Sequence, residues 1–256
     1  MNLPQRPGLT RQENCYSILV YSPWVFGPRV KGRLRAAFAV SIAPRMKTNI
    51  YVDGFNLYYG ALKDSPYRWL DLVALCQRLL PNDHVHRVRY FTANIAARPG
   101  DPPAAAQKRQ RQQTYLRALQ TLPEVSIHLG HYLSKTKRRP LAQPPANGPR
   151  TVEILDTEEK GSDVNLATYL LVDAFDQDCE AAVLVSNDSD LTFPIEMVRA
   201  KFGYPVGVLN PHPNVSQALK RVASFSRQIH ASDLKATQLP PTLTDAHGTI
   251  TKPHPW

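Results

Sequence analysis

Four aspartates in three short segments of this chain stand where carboxylates can do chemistry. Asp53 follows Ile50-Tyr51-Val52 directly, which places it at the C-terminal end of a strand, where open α/β sheets gather their ligands. Gly54-Phe55-Asn56-Leu57 then reads as a tight strand-to-helix turn, in which Asp53 would serve equally well as a helix cap. The same geometry recurs at Val183-Leu184-Val185-Ser186-Asn187-Asp188-Ser189-Asp190, an apolar strand that runs into two carboxylates. A cap for the helix beginning near Leu191 accounts for one of those two acids but not for both. The third segment is Lys160-Gly161-Ser162-Asp163-Val164-Asn165, where Ser162 or Asp163 opens a helix and Asp163 projects from its first turn.

Gathering four carboxylates is electrostatically costly, because like charges at short range raise one another's pKa unless a cation neutralises them. A divalent metal resolves that repulsion. Oxygen-only donors select a hard ion, so Mg²⁺ or Mn²⁺ is expected rather than zinc, whose usual Cys and His partners are absent from these segments. Asp173 lies ten residues beyond Asp163 on the same helix, roughly 15 Å along its axis, and is read with Asp176 and Asp178 as a surface acid.

The elements that must position these acids follow from hydrophobic patterning. From Met46 onward, short β-branched or apolar runs alternate with longer amphipathic ones, as expected of βαβ units. Strands are expected at Asn49–Val52, Val85–Thr92, Val125–Leu133, Ala181–Val185 and Val206–Leu209. Helices are expected at Asp71–Leu80, Ala104–Leu122, Ser162–Phe175, Thr192–Phe202 and Val215–Ala223. Ser134–Arg150 carries Pro140, Pro144, Pro145 and Pro149 and reads as a basic loop. The fold class is therefore α/β with a central, mostly parallel sheet flanked by helices, over residues 46–233. Residues 234–256 turn to Pro, Thr and His and read as a poorly ordered tail.

The net charge is +10, but residues 1–45 hold seven basic residues and one acid, so +6 of it lies there. That stretch reads as a disordered leader or a misassigned start, with no apolar run long enough for a membrane span. Three widely spaced cysteines, Cys15, Cys76 and Cys179, make neither a disulfide framework nor a metal knuckle, which indicates a reducing, cytoplasmic setting. A homo-oligomer is compatible with this composition.

Taken together, Ile50–Leu57, Lys160–Leu166 and Ser186–Leu191 resemble the three motifs of the NYN family, PIN-like domains related to FLAP nuclease and PIN-domain ribonucleases. The motifs occur in family order, and the likeness spans Met46 to Asp233. It implies a PIN-like three-layer fold whose acidic cleft binds Mg²⁺ or Mn²⁺ and cleaves RNA phosphodiesters. Carried over residue by residue, Asp53, Asp163, Asp188 and Asp190 become the expected catalytic metal ligands, with Asn56 and Ser186 as supporting polar groups. The same resemblance implies a second chemistry, since NYN-like relatives include an NADH-dependent hydroxylase of 6-hydroxy-3-succinoylpyridine. No GxGxxG fingerprint supports a dinucleotide site here. A non-catalytic RNA-binding module that keeps the acids for structure is the third reading.

Other residues serve these readings. Lys160 stands beside Asp163 and suits a substrate phosphate. Arg109 and Arg111 on the long helix, with Lys137 and Arg138 on the loop, would follow an RNA backbone; a solvated basic face explains them equally well. Tyr58, Tyr59, Tyr67 and Trp69 are suited to stacking on bases, but core packing is the commoner use of such side chains. His128 and His131 point to opposite faces of a strand and do not pair on a metal.

Overall fold

The computed structural model describes residues 45–95, 102–254 and 256. The expected leader, all but Arg45, lies outside them. β1 (Met46–Asp53) is buried from Thr48 to Asp53 and forms the middle of the sheet, a position suited to its apolar run Ile50-Tyr51-Val52. It pairs in parallel with β2 (Asp83–Ala93) on one side and with β5 (Ala181–Val185) on the other. The full sheet adds β3 (Val125–Pro140), β4 (Thr151–Lys160), β6 (Val206–Asn210) and β7 (Phe225–Gln228), in the order β4-β3-β2-β1-β5-β6-β7. Every pairing is parallel except that of β3 with β4. Strand order reverses between β1 and β5, so the crevice at their C-terminal ends is the topological switch point of the sheet.

Alternation along β1 divides the core in two. Ile50 and Val52 point into a cluster with Trp69, Leu72, Leu75 and Leu119, contributed in part by α2 (Leu72–Leu79) and α3 (Pro103–Leu119). Tyr51 points the other way, into a cluster with Leu166, Leu170, Ile195 and Leu219 from α4 (Ser162–Phe175), α5 (Thr192–Phe202) and α6 (Gln217–Val222). Between β1 and α2 the chain makes α1 (Gly54–Leu57) and a π-helical turn, Tyr58–Leu62. The chain is thus α/β, a seven-stranded, mostly parallel sheet with helices on both faces.

Three expectations are corrected. Ser134–Arg150 is not all loop: β3 continues to Pro140 and pairs antiparallel with β4, from His131↔Lys160 to Pro140↔Thr151. Pro140 is tolerated because it ends the strand, where a missing N–H disrupts no interior rung. Nor is the segment after Asp233 irregular. α7 (Ala231–Ala236) and a hairpin of β8 (Thr242–Asp245) and β9 (Gly248–Thr251) occupy it, with Leu239 and Ile250 in the core. Arg117 anchors the hairpin by a two-point ion pair to Asp245, with Nε to Oδ2 at 2.7 Å and Nη2 to Oδ1 at 2.5 Å.

Asp173, finally, is not a surface acid. Leu166, Leu170, Asp173 and Ala174 form one stripe of α4 against the sheet, and Asp173 is 4% exposed there. It is held by two Arg89 hydrogen bonds of 2.7 Å each and by the Tyr51 hydroxyl at 2.8 Å, in a network apart from the four candidate acids. Asp178 is likewise engaged, with Arg87 at 2.7 Å and Lys47 at 3.6 Å. Among the described residues no helix is long and apolar enough to cross a membrane.

Candidate functional site

The end of β1 delivers Asp53 as the N-cap of α1, where its Oδ1 accepts the Asn56 backbone N–H at 2.9 Å. Its Oδ2 accepts the Ser186 hydroxyl, at the end of β5, at 3.0 Å. One carboxylate therefore ties the two central strands together while remaining 3% exposed. Burial pushes the Asp53 pKa upward, opposed by the Asn56 and Ser186 hydrogen bonds and reinforced weakly by the charge of Asp188.

Asn56 and Ser186 join the same frame. Asn56 Oδ1 accepts the Asn187 N–H at 3.1 Å, and Ser186 Oγ accepts the Asp188 N–H at 3.1 Å. Asn187 in turn holds the strand-end loop of β6, donating to the Asn214 carbonyl at 2.9 Å and accepting the Ser216 N–H at 2.7 Å. Asp188 caps a short 3-10 turn, Ser189–Leu191, through the Asp190 N–H at 3.0 Å. Asp190 is exposed and caps nothing, so a cap accounts for only one member of that pair.

Asp163 rises from the first turn of α4, a position favourable to negative charge at a helix N-terminus. Its pKa nonetheless rises to about 6, first through partial enclosure by the protein and then through the charges of Asp53, Asp188, Glu159 and Asp190. Asp163 thus lies within the field of the other three acids chosen from the sequence, although they are far apart along the chain.

Sequence reasoning missed Glu159, which belongs to this group. Its carboxylate accepts both the Ser162 N–H at 3.1 Å and the Ser162 hydroxyl at 2.7 Å, and so caps α4 in place of Gly161, which offers no side chain. The legible signal was an acid three residues before Ser162. Gly130 of β3 passes so close that a Cβ there would lie 2.7 Å from the Lys160 carbonyl oxygen, clashing also with the Glu159 carboxylate.

The basic residues are placed less simply. Lys160 pairs with Glu158 at 2.8 Å, and Lys137 with Glu158 at 2.7 Å and Asp156 at 2.8 Å, so both are engaged within the β3–β4 ribbon. Those two cations hold the Glu158 carboxyl down at about 2. Arg138 is exposed on the same ribbon, while Arg109 and Arg111 are half-buried on α3. Trp69 is fully buried and donates to the Pro240 carbonyl at 2.8 Å, which removes it from any stacking role. Tyr59, 56% exposed, packs edge-on against Tyr58.

The donor set fits a hard divalent ion in its chemistry, since it is all carboxylate and crowded enough to hold a proton near neutrality. Among the described residues, however, no group of three or more His, Cys, Asp or Glu side chains is already arranged to hold a metal. Asp53 is fixed through both oxygens, whereas Asp163 and Asp190 are exposed.

Comparison with known proteins agrees with this geometry at the level of the fold. The chain is 32% identical over 242 residues to the 6-hydroxy-3-succinoylpyridine 3-monooxygenase HspA of Pseudomonas putida (strain DSM 28022 / S16), a match covering 82% of this chain and 75% of the relative. It is similar, at 20% identity and a TM-score of 0.47, to a Vibrio parahaemolyticus RIMD 2210633 protein of unknown function, over 76% of this chain and 97% of that one. The NYN domain model matches residues 47–229, a stretch that contains every acid of the site, and the chain belongs to the NYN domain family.

Proposed function

We propose that the protein is a Mg²⁺- or Mn²⁺-dependent ribonuclease that cleaves RNA phosphodiester bonds at the Asp53, Asp163, Asp188 and Asp190 cluster. Family membership supports a nuclease-type enzyme in general. The observation that carries the finer reading is that Asp163, at the switch point of the sheet, is lifted to about 6 by burial first and then by the charges of Asp53, Asp188, Glu159 and Asp190. In this reading the four aspartates hold the ion, which when bound activates water and offsets charge on the phosphoryl oxygens. The chain's own contribution is order: Ser186 and Asn56 fix the Asp53 carboxylate, Glu159 fixes the start of α4 beneath Asp163, and Asn187 locks the loops around both. Arg138, Arg109 and Arg111 are the cations proposed to meet the RNA backbone.

The relative that shares 32% identity over 82% of this chain favours a second reading, NADH-dependent hydroxylation of a pyridine compound. One experiment separates them. The full chain is incubated with labelled single-stranded RNA in Mg²⁺, Mn²⁺ or EDTA, and separately with 6-hydroxy-3-succinoylpyridine and NADH under air. Cleavage that requires the metal is expected. NADH oxidation coupled to ring hydroxylation, with RNA untouched, would replace the first reading with the second.

A further inference from the structure

A cavity of about 130 Å³ lies against the β1–α1 turn, lined there by Gly54 and Phe55. Its volume is close to the ~150 Å³ of an apolar protein cavity that takes up benzene, and so admits one aromatic ring. Phe55, Tyr58, Tyr90, Tyr132 and Trp256 supply ring surfaces to its wall. Arg68, Lys108 and Arg111 also line it, and among the described residues none of the three makes an ion pair with a carboxylate. Arg68 is steadied by backbone carbonyls alone, with its Nε 3.2 Å from the Leu62 oxygen and 3.1 Å from that of Lys63. Three cations beside an aromatic box, with no acid among the described residues in ion-pair contact with them, describe a site for an anion attached to a ring.

The cavity adjoins the acid cluster through Gly54, which lines it and follows Asp53 directly. A Cβ at Gly54 would stand 2.8 Å from the Tyr90 ring, so the turn and the ring are in contact. Tyr90 lies within the field of Asp53, and Tyr132, edge-on to Phe55 at 6.3 Å, within that of Glu159.

We infer that this cavity is the ring subsite of the active centre, binding one six-membered aromatic ring that carries an anionic group, with the ring among the tyrosines and the anion at Arg111, Lys108 and Arg68. The inference deepens the proposed function and rests on it only in naming the acids as the reacting centre. Two sources share the ligand chemistry, a pyrimidine nucleotide of RNA and a small heteroaromatic carboxylate.

Calorimetric titration of the full chain in EDTA, with UMP, nicotinate, cyclohexanecarboxylate and inorganic phosphate as probes, tests binding apart from turnover. UMP or nicotinate is expected to bind at least tenfold more tightly than the saturated acid or phosphate, and whichever binds names the source. The double variant Lys108→Gln/Arg111→Gln should lose at least tenfold in that affinity, Tyr58→Leu a similar factor, and Lys201→Gln, exposed in the last turn of α5, nothing. Binding that ignores ring aromaticity, weakens equally in Lys201→Gln, or is absent for both ring ligands would overturn the assignment. Cleavage assays on the same variants keep the two claims separate, because the subsite can fail while metal-dependent cleavage stands.

Discussion

Two of the four aspartates are held by the backbone through their own carboxylate oxygens. Asp53 and Asp188 cap helical turns and, by doing so, are held in place, while Asp163 and Asp190 face solvent. That division explains why the cap and the ligand readings could not be separated from sequence: both require an Asp at a strand end. It also sets a pH dependence. Burial and the neighbouring acids hold the Asp163 pKa at about 6 in the folded chain, against 3.8 for a free aspartate, so between those limits the folded state keeps a proton that the unfolded state releases. Stability from this group is therefore complete below pH 3.8 and falls as pH rises through 6. Asp163→Asn removes the loss, so in EDTA the variant should melt about 2 °C higher than wild type at pH 7.5 and no higher at pH 3.5. Saturating Mg²⁺ should erase the gain by stabilising wild type alone. Equal melting temperatures in EDTA at pH 7.5 would show that Asp163 is not crowded.

Elements place these acids through a few backbone constraints. Gly161 has φ +99°, a conformation that any Cβ strains, and it is the joint between Glu159 and α4. Gly203, with φ +72°, ends α5 by the same means but away from the acids. Replacing either with Ala should cost about 1 kcal/mol in urea unfolding. Only Gly161→Ala should also lower turnover, by roughly tenfold, because it displaces Glu159 and Asp163 together. Equal activity of the two variants would mean that the joint does not position the site. The strands that carry Asp53 and Asp188 were legible because central parallel strands must be apolar throughout, and Ala181–Val185 was read to the residue. β4 was not, because Glu153, Asp156, Glu158 and Glu159 hide its alternation and its partner ends in the lysines, arginines and single proline of an edge ribbon. Asp173 was misjudged for a related reason: a helix stripe can bury an acid only when a neighbouring strand supplies Arg89, and that pairing is tertiary.

Across the whole molecule, the segment after Asp233 is part of the fold rather than an appendage. Composition pointed to disorder there, yet the chain closes one face of the sheet, with Ile250 2% exposed and Trp256 packed edge-on against Trp69 and Tyr115. Ile250→Ala should cost about 2–4 kcal/mol by chemical denaturation, and a loss below ~0.5 kcal/mol would return the hairpin to the status of a tail. The net charge of +10 overstates the attraction for RNA, since Lys137 and Lys160 are paired within the ribbon. The central claim concerns the switch point, where strand order, caps and crowded carboxylates coincide. Its most direct test is Asp188→Asn, which keeps the side chain's shape and the capping oxygen but removes a negative ligand. Cleavage of single-stranded RNA in Mg²⁺ or Mn²⁺ should fall at least 100-fold in the variant with its circular dichroism unchanged, whereas equal cleavage by both proteins, insensitive to EDTA, would contradict the metal-dependent site.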